Sequence, residues 1–111
     1  MKKTPTSIVL CAASYRAQQV PGAVLILANG MHPTSGYQAF FEQSPIDVFP
    51  PEFILWHVAP SGIVLDVLTP FTVYTSFKTT GQIERVAVHD ANGRHEVDVE
   101  QVPDLLLKHA R

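Results

Sequence analysis

Cysteine is nearly absent from this chain. Cys11 stands alone, so no internal disulfide can form and no thiolate cluster can hold a metal. Inside the apolar run Ile8-Val9-Leu10-Cys11-Ala12-Ala13 the thiol reads as a small buried hydrophobe. Charge is scarce too: Asp, Glu, Lys and Arg make up 16% of the residues, against about 25% in an ordinary globular protein. A small domain exposes much of its surface, so this shortage implies an apolar face that is covered in the working state. A homodimer or a protein partner is therefore expected. With a net charge of −2 and no basic run beyond Lys2-Lys3, nucleic acid is not an expected partner.

Long hydrophobic runs are missing as well. The stretch from Ala23 to Ala28 falls far short of the roughly 20 residues that cross a bilayer, so no membrane partner is expected. After Met1-Lys2-Lys3, the apolar run Ile8 to Ala13 is shorter than the roughly 7–15 residues of a secretory signal core. Leu10 also stands where a lipoprotein-type cleavage site needs a small residue. The expectation is a soluble, cytoplasmic protein. Glycines occur singly, so no phosphate-cradling loop exists, and no serine lies in a Gly-x-Ser-x-Gly elbow. Histidines spaced i, i+4 with a neighbouring Glu are absent. No catalytic residue, metal or cofactor is nominated, and a non-catalytic binding domain is the leading expectation.

A sustained helical period is lacking except after Asp104, which can cap a short helix over Leu105–Arg111. What is present is alternation cut by nine prolines and six glycines. Ser7–Ser14 reads as a first strand, with Tyr15 to Pro21 as a polar connector that could extend it. Gly22–Ala28 is apolar on both parities, as in a strand buried on both faces. Asn29-Gly30 should end it and 31–36 should form a loop. Tyr37–Gln43, a short piece over Ile46–Phe49, Glu52–Val58, Ile63–Leu68 and Phe71–Lys78 continue the series. Phe49, Phe53 and Trp56 read as core.

The clearest pattern is the hairpin over 83–101, centred on Asn92-Gly93 and read as a type I′ turn. A two-residue loop there sets Val88 opposite Val97, Val86 opposite Val99, and His89 opposite Glu96 and Asp90 opposite His95 as cross-strand charged pairs. A four-residue loop over Asp90 to Gly93 sets Val86 opposite Val97 and Arg85 opposite Asp98. Both keep the valines on one face, whereas a three-residue loop mixes the faces. Short strands about 8–12 residues apart predict an all-β, antiparallel β-sandwich, immunoglobulin-like or a related Greek key, filling 1–111 as one domain.

Histidines at 32, 57, 89, 95 and 109 are the remaining chemical currency. His89 and His95 fall on opposite faces of the hairpin and cannot chelate one ion. A metal-dependent or histidine-based enzyme, the alternative reading, would need His32 or His57 to converge with a carboxylate. Binding has more support: His32, Pro33, Thr34, Ser35, Gly36 and Tyr37 form a rigid turn-rich loop, and Tyr74 is a polar-flanked aromatic. Pro33-Thr34-Ser35-Gly36-Tyr37 resembles the Pro-Thr-Thr-Gly-Tyr loop of chagasin-type cysteine-protease inhibitors, and a similar Pro-Thr-Gly-Gly-Tyr loop of bacterial protease-complex domains. That family is built on immunoglobulin-like sandwiches, so the resemblance implies a sandwich and protease inhibition through the 32–37 loop. The Gly-rich and Arg-Pro-aromatic loops of those inhibitors have no counterpart here.

Overall fold

Strand β3 (Ala23–His32) sets the geometry, because it carries ladders on both edges along nearly its whole length. The computed structural model describes residues 8–10, 12–45 and 49–102; Cys11 and the expected helix at 105–111 lie outside them. Within these residues the chain is all β. In order come β1 (Ile8–Leu10), β2 (Ser14–Val20), β3, β4 (Gln38–Gln43), β5 (Glu52–Val58), β6 (Thr69–Lys78), β7 (Arg85–Asp90) and β8 (Gly93–Gln101).

The strands make one mixed sheet ordered β4-β5-β7-β8-β2-β3-β6. β1 pairs with Trp56–Val58 along the edge of β5 that β7 uses at 52–54. The two end strands, β4 and β6, lie side by side without a ladder, so the sheet curls almost into a barrel. Two separate antiparallel sheets were expected. They do not separate because β8 serves both halves: 93–98 pair with β7 and 99–101 pair with β2. The β5–β7 and β2–β8 pairs are parallel, a departure from the antiparallel expectation. Each joins strands distant in sequence, and local alternation carries no information about such pairings.

The core is the inward set Ala17, Val24, Ile26, Ala28, Phe53, Leu55, Ile83, Val86, Val88 and Val99. β3 buries only this face, although its sequence is apolar on both; Leu25 and Leu27 remain outside beside Tyr74 of β6. Of the three aromatics assigned to the core, Phe53 is buried. Phe49 is 77% exposed, and half-buried Trp56 donates its Nε1–H to Glu42 Oε1 at 2.7 Å.

β2 is a full strand rather than a connector. Its alternation is masked because Gln19 points inward, where it accepts from Ile83 N–H and donates to the Gly81 carbonyl, both at 2.8 Å. β3 also runs through Asn29-Gly30, the expected stop. Gly30 is required there by a close approach. A Cβ would stand 2.7 Å from two carbons of the Phe71 ring and 3.0 Å from the Ala12 carbonyl oxygen. Gly30→Ala should therefore cost about 1–3 kcal/mol through overpacking, read as a fall in urea midpoint with an unchanged slope.

In the hairpin, Val86 faces Val97 and Arg85 faces Asp98, the second of the two registers. Pairing continues to Asp90 opposite Gly93, leaving only Ala91-Asn92 in the turn. The type I′ turn is excluded, since Ala91 and Asn92 both have negative φ and within the hairpin turn only Gly93, at +112°, is positive. Asp90 explains the shift: its Oδ1 accepts the Asn92 N–H at 2.8 Å, and Asp at the first and Gly at the fourth position favour a type I turn. His89 consequently stands opposite Arg94 and pairs with Glu52 (3.1 Å), while Glu96 takes Arg94 (3.0 Å).

Candidate functional site at one end of the barrel

Strand alternation turns residues of one parity inward, and toward one end those inward residues change character. Below them lie Val, Ile, Leu and Phe. At the end itself the inward positions are Tyr15 of β2, His32 of β3, Tyr37 before β4, His57 of β5, Phe71 of β6, Asp90 of β7 and His95 of β8. They form two clusters.

In the first, His32 is buried (3% exposed) and stacks on Phe71 with centroids 4.2 Å apart and on Tyr37 at 4.9 Å. His57 meets His32 edge-on at 5.3 Å and Tyr37 at 4.9 Å. His32 Nε2 and His57 Nδ1 are buried with no hydrogen-bond partner among the described residues. Burial pushes both imidazoles below their ordinary range, and the neighbouring His57 adds to this for His32. The two rings are therefore neutral near pH 7.

The second cluster is a charged one. The Asp90 carboxylate is fully enclosed, accepting from Tyr15 Oη at 2.6 Å and from the Asn92 amide, and lying 2.8 Å from His95 Nε2. Burial pushes its pKa up, but the Tyr15, Asn92 and His95 hydrogen bonds outweigh this and hold it below the ordinary carboxylate value. Beside it β2 and β8 diverge, opening a groove of about 460 Å³ between Tyr15-Arg16 and His95–Asp98.

The loop 32–37 singled out by sequence closes this end. His32 and half-buried Tyr37 belong to the interior, while Pro33 and Gly36 are exposed and Thr34 and Ser35 are partly so. Thr34 Oγ1 donates to the Ser35 carbonyl at 2.9 Å. Tyr74 does not join them. It lies on the outer face of β6 opposite Leu27, five ladder positions from the His32–Thr69 pair, or roughly 17 Å along the strand.

Ser35 clamps a segment that sequence reading took for a strand. Its amide donates to the Leu65 carbonyl at 3.0 Å and its Oγ accepts from Leu65 N–H at 2.9 Å. Residues 59–68 belong to no ladder: the chain bends at Gly62, where φ is +83°, and turns again where Val67 N–H donates to the Leu65 carbonyl at 3.0 Å. Ile63 (103%), Leu65 (71%), Leu68 (66%) and Val67 (53%) project into solvent. The available signal was a β-branched apolar run, flanked by Pro60 and Pro70, with no polar parity of its own.

Tyr15 was missed, and Asp90 was read only as a hairpin partner of His95, because neither position has a motif; the Tyr15–Asp90 contact spans 75 residues. No group of three or more His, Cys, Asp or Glu side chains comes together among the described residues. Nor do they include a helix long and apolar enough to cross a membrane. No known family model matches the chain, and neither a curated protein nor a solved structure matches it significantly.

Proposed function

We propose that this domain acts by binding, and that its contact surface is the end formed by loop 31–37 and the run 59–68. One observation carries the reading. Four large aliphatic side chains within Ile63–Leu68 are more than half exposed, on a segment held in place by Ser35. Exposed apolar patches of this kind, on a chain of low charge, are interaction sites in folded proteins. The occupant proposed is a second copy. A two-fold axis lays the run against its own equivalent, and a stable dimer needs about 800 Å² from each partner. Light scattering at micromolar concentration should give twice the 12.2 kDa chain mass. Ile63→Asp with Leu65→Asp should return it to one chain mass without lowering the melting temperature. A wild-type mass near that of one chain, or a double variant that still dimerises, overturns the reading.

A second reading, inhibition of a papain-like protease, rests on the Pro33–Tyr37 resemblance. It is favoured by the placement of that loop beside another at one end of the domain. Its test is direct: loss of papain activity at micromolar protein, abolished by Gly36→Ala. Gly36 has φ of +88°, and a Cβ there would stand 2.9 Å from Pro60.

A further inference from the structure

We infer that His32 and His57 form a two-imidazole site for a borderline divalent transition metal, with zinc(II) and cobalt(II) as its probe ions. The two histidines come from β3 and β5, which are not neighbours in the sheet, and meet only because the sheet curls. Each presents a ring nitrogen that is buried and unpartnered among the described residues. Such atoms are rare in folded proteins and call for a partner. Here two of them occur on touching rings inside one aromatic shell.

The spacing suits a shared ion. A zinc–nitrogen bond of about 2.0–2.1 Å plus the roughly 1.1 Å from nitrogen to ring centre puts each centroid about 3.2 Å from the metal. Two such rings at a near-tetrahedral angle have centroids about 5.2 Å apart; the observed separation is 5.3 Å. A linear two-coordinate ion would need about 6.4 Å by the same bond lengths. Ligand type narrows the ion further. Imidazole suits zinc, copper, nickel and cobalt, whereas magnesium and calcium need oxygen donors. No carboxylate cluster accompanies these rings. The Tyr37 ring packs on both imidazoles with centroids 4.9 Å away, and water or an exogenous ligand completes the shell. The other described histidines are already engaged, His89 with Glu52 and His95 with Asp90.

The test uses the full chain, stripped with chelator. Zinc(II) at 100 times its dissociation constant should raise the melting temperature by roughly 10–15 °C. His32→Gln and His57→Gln should each remove the rise, while His89→Gln should retain it. Cobalt(II) should give a visible d–d band and broaden the His32 and His57 ring resonances of the wild-type protein, a readout independent of how the variants fold. A flat melting response overturns the assignment. So does a response equal in all variants, or broadening confined to His89 and His95, which would put the ion on surface imidazoles.

Discussion

Phe53→Ala is expected to lower stability by about 3–5 kcal/mol, close to the upper end for a single core truncation. Phe53 is 1% exposed on β5, between the Phe41 ring (centroids 6.4 Å, nearly perpendicular) and the Phe77 ring (5.5 Å). β5 pairs with three strands, so its inward residues touch both halves of the sheet. The cavity left by the ring cannot be filled by rotating a neighbour, because Leu55, Val86 and Val88 around it are themselves fully enclosed. Single domains of this size are stable by about 5–15 kcal/mol, so the loss is a large fraction of the total. The melting temperature should fall by roughly 10–20 °C. Phe49→Ala, at a side chain 77% exposed, should stay within about 0.5 kcal/mol. Equal effects from the two substitutions would refute this core.

The alternation that nominates Phe53, Leu55 and His57 as one face of β5 was legible, and so was that of Phe71, Val73, Thr75 and Phe77 on β6. On β6 the other face is Thr72, Tyr74, Ser76 and Lys78, so parity appears directly in the sequence. On β5 the other face is the half-buried Ile54, Trp56 and Val58, so the inward face is not marked. The hairpin valines were legible as a face but not as a unique register, since two loop lengths share that parity. The deciding interaction is a single hydrogen bond from the Asn92 amide to Asp90. Curling of the sheet was not legible. It depends on β8 changing partners at Val99 and on two parallel pairings between strands remote in sequence. Ile63–Leu68 illustrates the converse error, for strand propensity describes a half-buried pleated surface and this run finds no partner to supply one. The condition read from sequence was convergence of His32 or His57 with a carboxylate; that the two imidazoles meet each other instead was not legible, because each lies on a strand whose neighbours were unknown. Pro70 marks the Thr69-Pro70 joint as an edge, a bulge or a sharp bend, and the first of these is what the fold has, with Pro70 inside β6. That strand ends the sheet, where a missing donor is tolerated.

Asp90→Ala should cost about 3–5 kcal/mol at neutral pH, and the cost should shrink in acid. The carboxylate has no solvent exposure and is held by Tyr15, the Asn92 amide and His95. Hydrogen bonds to a charged acceptor contribute about 1.5–3 kcal/mol each, and breaking a buried polar constellation by removing one member is expensive. The alanine variant also loses the Asx contact that shapes the Ala91-Asn92 turn, so the valine register of β7 and β8 should loosen with it. The pH dependence follows from the direction of the shift. The folded carboxyl titrates below its ordinary 3.8, so below that value the unfolded chain binds a proton that the folded chain does not. Wild-type stability from this group is complete above about pH 5 and drains as pH falls through the folded pKa. The alanine variant has nothing to lose there. The difference in unfolding free energy between wild type and variant, measured by urea titration from pH 7 to pH 2.5, should therefore be constant down to about pH 5 and then narrow. A difference that stayed flat throughout would mean that Asp90 acts as a spacer in the turn and not as a buried charge.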